Sequence, residues 1–195
     1  NILKSYIMRY LSFKKDGSEM NNEKLKLLIH NFKENLPEIS SKKSNYTESD
    51  TRSEFIDKLF GILGWDMDNS MGLNAYHKEV RRENFNSTNE EESQIPDYIF
   101  KIKNSKKFII EAKKISVNIK NKKDTYQIRK YGYSAGLPIS AITNFNDIRI
   151  YDTNIEPKIT DEIDNSLLFE CNYQNYIENF KLLEEFLGKK SVDTH

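Results

Sequence analysis

The chain has 195 residues, with 30 Lys plus Arg balanced by 30 Asp plus Glu, and 37% of its residues are hydrophobic. That size suits one domain, or one domain with an arm, and the supply of Phe, Tyr, Ile and Leu excludes wholesale disorder. No apolar run approaches the ~18 residues of a membrane span. The single cysteine, Cys171, excludes an internal disulfide framework or a Cys-rich zinc site and points to a reducing cytosol.

Residues 1–19, which include Lys14-Lys15-Asp16-Gly17-Ser18, read as an arm or upstream segment. Apolar residues at Leu25, Leu28, Ile29, Phe32 and Leu36 predict a helix over 21–36 with one buried face, stopped by Pro37. Residues 38–47 form a polar linker. A second helix is expected over 48–63, capped by Thr47 or Ser49, with Phe55, Ile56, Leu59, Phe60 and Leu63 as its buried stripe. Gly64 ends it, and Trp65 enters the core.

Residues 76–85 read as a strand and 86–94 as an exposed polar loop. Strands over 97–102 and 107–112 follow, joined through 103–106 as a hairpin. A helix over 123–135 closes at Gly136. Strands over 139–143 and 147–151 flank a turn at 144–146. A loop covers 153–165, and a short strand at 167–170 precedes a helix over 173–187 that ends at Gly188. This order predicts an α/β fold, a mixed central β-sheet flanked by helices, in one domain over 20–188 with a tail at 189–195.

The neutral total conceals a basic window. From 101 to 132 there are ten Lys and one Arg against only Glu111 and Asp124, a net of +9. Such a segment can hold a polyanion locally, although lysine runs are also ordinary solvated surface. Lys114, Lys120, Lys122, Lys123, Arg129 and Lys130 are its candidates for phosphate contacts, which position DNA without reading sequence.

The hairpin carries the most specific chemistry. Pro96-Asp97 opens its first strand, and Glu111-Ala112-Lys113 ends its second, with thirteen residues between the two acids. Residues i and i+2 of a strand share a face, so Glu111 and Lys113 point the same way, and the hairpin sets Asp97 beside Glu111. Carboxylates ~4 Å apart repel by about 4 kcal/mol at an effective dielectric near 20. A proton or a cation relieves that repulsion. Carboxylates, one backbone carbonyl and retained waters suit Mg²⁺, and Lys113 is placed to orient or deprotonate a water beside it. Glu-x-Lys alone recurs by chance, and on its own it reads as a surface salt bridge.

The Pro-Asp, hairpin and Glu-x-Lys combination resembles the PD-(D/E)xK nucleases. Residues 51–66, 96–113 and 127–152 are similar to the N-terminal endonuclease region of type IIG restriction-modification enzymes and of the type I restriction subunit. The resemblance spans roughly residues 20–187. It implies an endonuclease domain that cuts double-stranded DNA with Mg²⁺, Mn²⁺ substituting, in the bacterial cytoplasm. Glu54, Asp97, Glu111 and the Ala112 carbonyl would hold the metal, and Lys113 would act on the attacking water. Gln127 and Tyr131, the Gln-x-x-x-Tyr pattern of one branch, would support the site or touch the phosphate backbone. Methyltransferase and target-recognition domains are expected in the parent protein, of which this chain would be a fragment, and a transient dimer would cut both strands.

Two rival readings remain from the sequence. One is a non-catalytic DNA-binding module that retains the nuclease fold. The other is a structural or protein-interaction domain. With both hairpin acids and Lys113 present, nothing in the sequence signals lost catalysis. His30, His77 and His195 are isolated, and Asp57 and Asp66 near Glu54 have no role assignable from sequence.

Overall fold

The computed structural model describes residues 2–41, 43–82 and 96–193, with side chains from Met20 onward. Helix α1 (Ile2–Ile39) leads into a helical run built from α2 (Glu48–Thr51), a π-helical turn (Arg52–Ile56) and α3 (Asp57–Ile62). Then come β1 (Val80–Arg82), β2 (Tyr98–Ile102), β3 (Ser105–Ala112), α4 (Lys122–Ser134), β4 (Ile139–Thr143), β5 (Asp147–Asp152) and β6 (Leu167–Asn172). A 3₁₀ turn (Tyr173–Asn175), α5 (Phe180–Leu187) and α6 (Lys189–Asp193) follow. The six strands lie side by side in chain order. Only β3 and β4 run parallel, and α4 makes the crossover between them. This is the expected α/β architecture of a mixed sheet flanked by helices.

The sheet separates two cores because side chains alternate along each strand. Tyr98, Phe100, Phe108, Ile110 and Ala112 join α1, the π-helical turn and α3 in the larger core, through Leu25, Phe32, Phe55, Leu59 and Phe60. Ile99, Ile109 and Ile142 face the other way, onto Ile128 of α4. Each fully buried Leu, Ile or Phe contributes roughly 1.5–3 kcal/mol, so the stripes expected for the first two helices hold their layer to one face of the sheet, while Ile128 of α4 holds the other. Trp65 is buried as expected, its Nε1 donating to the Leu187 carbonyl at 2.7 Å. Among the described residues no helix is long and apolar enough to cross a membrane.

Several boundaries differ from the sequence reading. Helix α1 runs back through Gly17 to Ile2, where an arm was expected, since one interior Gly costs a helix only about 1 kcal/mol. Pro37 lies in the last turn, so the helix ends two residues after it rather than at it. The hairpin link is tighter than four residues: Lys103 and Asn104 both take positive φ, 48° and 69°, and β3 already begins at Ser105. That is the two-residue geometry whose twist matches the flanking strands. Of the strand expected over 76–85, residues 80–82 form β1 and 75–77 form a turn. Its end and the loop at 86–94 lie outside the described residues. The last helix begins as a 3₁₀ turn, becoming α-helical only at Phe180, and α6 occupies part of the expected tail.

Helix α4 meets the end of β5 closely. A Cβ on Gly132 would lie 2.6–2.8 Å from the side chain of Thr153, which is itself buried and donates to the Leu137 carbonyl at 2.6 Å. Gly132→Ala should therefore destabilise the fold by about 1–3 kcal/mol in urea unfolding. Gly61→Ala, in α3 with open space around it, should cost nothing. Equal stabilities for the two variants would show that Thr153 gives way freely.

Candidate active site at the β2–β3 hairpin

The hairpin register pairs Tyr98 with Ile110, which sets Asp97 opposite Glu111. Glu111 has the parity of Ile109 and so belongs to the α4 face of the sheet, and Asp97, just before β2, meets it at the end of the hairpin. Lys113 continues that face, its backbone N–H donating to Thr143 O at 2.9 Å beyond the end of β3. The structure thus brings Asp97, Glu111 and Lys113 together at one end of the hairpin.

Every charge here has a partner. The Lys113 ammonium donates to Glu111 Oε1 at 2.6 Å. Asp97 Oδ2 accepts the Ala112 backbone N–H at 2.7 Å, and Oδ1 accepts Arg52 Nη1 at 3.1 Å. Burial pushes the Glu111 carboxyl up to about 7, Asp97 adds to the rise, and Lys113 opposes it. Burial also raises Asp97, against the pull of the Ala112 N–H, Arg52 and Lys113. For Lys113, burial acts downward, but the neighbouring Glu111 outweighs it and the ammonium is held more firmly.

Arg52 was not singled out from the sequence. It opens the π-helical turn and is buried, reaching Asp97 and also donating to the Tyr98 hydroxyl at 3.3 Å. Tyr98 in turn donates to Asp57 at 2.8 Å, and Asp57 pairs with Arg82 at 2.9 Å. Asp57, without a role in the sequence, thus closes a polar chain behind the site. π-turns occur often at functional sites, because they aim a side chain that a regular helix would direct elsewhere.

Of the acids in the helical run, Glu48 is the one coupled electrostatically to Asp97 and Glu111. Glu48 is half-buried at the start of α2, where Thr47 caps the helix in a capping box with Asp50. Burial raises its carboxyl, and Asp97 raises it further while Lys113 and Arg52 pull it down. Glu48 likewise contributes to the rise of Glu111. Glu54 is exposed. It accepts the Tyr46 hydroxyl at 2.9 Å and lines a groove against α1 with Lys24 and Asn31. The missed signal was spacing: Glu48 and Arg52, four apart, share a helix face.

On α4, Gln127 Nε2 donates to the Tyr131 hydroxyl at 2.8 Å, so the i,i+4 pair is real. Tyr131 is raised by burial and also feels Glu111 and Lys113, which places it at the margin of the site. The basic candidates divide. Lys122, Lys123 and Lys130 stand exposed on α4, Lys122 pairing with Glu162 at 2.6 Å. Lys114 donates to Ser44 O at 3.3 Å, and Lys120 pairs with Glu170. Arg129 is only 1% exposed and is fixed on Asp161 at 2.8 Å, so it anchors the loop over 153–166 instead of facing a phosphate.

The donor set suits a hard divalent cation: two coupled carboxylates whose repulsion such an ion would relieve, beside a backbone carbonyl. Among the described residues no three His, Cys, Asp or Glu side chains converge on one point. An ion here would keep several waters, which is the habit of Mg²⁺ rather than Ca²⁺.

Comparison with known proteins gives two matches. The family model described as type I restriction enzyme R protein N terminus matches residues 45–159. An Escherichia coli protein described as type II restriction enzyme and methyltransferase RM.Eco57I is 34% identical over 174 residues, which is 88% of this chain and 17% of that protein. No solved structure matches.

Proposed function

Because the chain belongs to the family of the type I restriction enzyme R protein N terminus, we propose that it is a Mg²⁺-dependent endonuclease domain that hydrolyses phosphodiester bonds of double-stranded DNA. The observation that carries this reading is the facing pair Asp97 and Glu111, with Lys113 on the same sheet face and held to Glu111 at 2.6 Å. Asp97, Glu111 and the Ala112 carbonyl would hold the ion, and Glu48 would reach it through a water. When bound, Mg²⁺ supplies a water of lowered pKa and stabilises charge on a phosphoryl oxygen. Mn²⁺ would serve in its place.

The chain's own residues define the rest. Lys113 is cationic and more firmly so than a free lysine, which favours orienting the water and neutralising the phosphate over removing a proton. Arg52 and the Ala112 N–H fix both oxygens of Asp97, leaving each oxygen further lone-pair capacity for an ion. Lys122, Lys123 and Lys130 would hold the duplex backbone, with Gln127 and Tyr131 between them and the acids. The similarity to a restriction enzyme and methyltransferase supports a parent protein with methyltransferase and target-recognition domains, and double-strand cleavage calls for a transient dimer.

Calorimetric titration of Mg²⁺ or Mn²⁺ tests the reading. The parent chain should bind, and more tightly as pH rises through about 7, because Glu111 must lose its proton to act as a ligand. Glu48→Gln should weaken binding about tenfold, as loss of a water-mediated partner does, whereas Glu54→Gln should leave it unchanged. A parent chain that binds neither ion defeats the metal site, and the reverse ranking of the two variants restores Glu54.

A further inference from the structure

Helix α4 and the loop over 153–166 form the walls of an open cleft of about 640 Å³. On the α4 wall stand Lys122, Lys123, Lys130, Tyr126 and Tyr131. The loop contributes Ile159. Tyr131 also feels Glu111 and Lys113, so the cleft lies within electrostatic reach of the hairpin acids.

Ile159 is 79% exposed. A loop this polar could turn one isoleucine inward, which would gain roughly 1.5–3 kcal/mol from burial. Its attachments prevent that. Pro157, two residues earlier, is buried. Asp161, two residues later, accepts Arg129 at 2.8 Å and the Lys158 backbone N–H at 2.9 Å. Glu162 pairs with Lys122 at 2.6 Å, and Asp164 with the buried Arg149. These contacts engage three of the four acids around the tip and present an apolar side chain on a braced support. The opposite wall offers ammonium groups and two half-buried phenol rings, with Lys130 5.8 Å from the Tyr126 ring centre. Phosphates joined to flat apolar faces complement such a cleft.

We propose that Ile159 is an apolar wedge that enters a groove of duplex DNA next to the phosphates held by α4, with Tyr126 against the adjoining sugar. This rests on the DNA-cleaving reading above and adds a contact to the bases to it. Apolar side chains inserted at a base step unstack it and bend the duplex, which opens the backbone beside the step.

The test uses the whole chain in EDTA, so that nothing is cut, with a duplex carrying 2-aminopurine at successive steps. Binding of the parent should raise the fluorescence at one step. Ile159→Ser should lose that rise and weaken binding about tenfold with the salt dependence unchanged, because the lost contact is apolar. Ile159→Leu should keep both. Lys130→Ala should keep the fluorescence rise while reducing the slope of log affinity against log salt by about 1. An Ile159→Ser variant that binds and brightens like the parent overturns the wedge and leaves the nuclease reading standing. A parent chain without affinity for duplex DNA removes both.

Discussion

Lys113→Ala is expected to slow Mg²⁺-dependent DNA cleavage by about 10²–10³-fold, the usual cost of removing one group aimed at transition-state charge. Asp97→Ala is expected to abolish cleavage and metal binding together. The two variants should fail differently because, in the proposed mechanism, Lys113 would act on the water and phosphate, whereas Asp97 would offer an anionic oxygen to the ion. Lys113 also lowers Glu111, whose carboxyl already stands near 7. Its removal raises Glu111 further, so metal affinity is to be compared at roughly pH 8–9, where that carboxyl is ionised. High protein concentration with Mg²⁺ or Mn²⁺ gives the assay its sensitivity, and circular dichroism checks the fold. Folded variants that cut at the parent rate would remove Lys113 and Asp97 from the cleavage machinery, whereas a parent chain that binds duplex DNA without cutting it would leave a DNA-binding module without catalysis.

The largest effect on stability belongs to Arg52→Ala. The pair between Arg52 and Asp97 has side-chain exposures of 11% and 14%. Removing one partner of so buried a pair costs about 3–5 kcal/mol, because a charge is left uncompensated. At this chain length that is a fall in Tm of about 10 °C. The sign with pH follows from Asp97, whose carboxyl is raised in the folded state by burial. Without Arg52 it rises further, so the deficit is greatest at high pH and shrinks as pH falls through the folded-state value, since a protonated Asp97 needs no cation. The double variant Arg52→Ala with Asp97→Ala should cost less than the sum of the two single changes. A loss below about 1 kcal/mol, typical of exposed pairs, would show the pair to be idle.

The hairpin acids were legible because their placement is local. Strand parity and a tight turn decide which residues of 97–113 share a face, and neither depends on the rest of the chain. The helix acid was not legible in the same way. Glu48 and Glu54 lie in one helical run, and only its docking against β2 selects the face that meets Asp97. Thr47 as cap was readable, and it fixes where that run begins. The burial of Arg52 and of Arg129, the latter read as a phosphate contact, was not legible for a common reason: arginine is seldom buried, and both are buried here by acids that are distant in sequence. Arg129 follows the helical spacing of the α4 surface lysines, yet Asp161 thirty-two residues later takes it inward.

The arrangement of charge behind the hairpin has a consequence for the order of folding. Strands β2 and β3 can pair through a short loop, but the pairing brings Asp97 and Glu111 together. Taken alone, that hairpin is electrostatically frustrated at neutral pH, since the pair at its open end is repulsive. Lys113 eases one acid from within the same segment, whereas the counter-ion of the other comes from Arg52, forty-five residues upstream. The local unit is therefore completed by a distant one. Docking of the helical run completes the hairpin, which couples the pairing of Asp97 and Glu111 to closure of the main core and leaves little room for a half-folded chain that exposes the two acids.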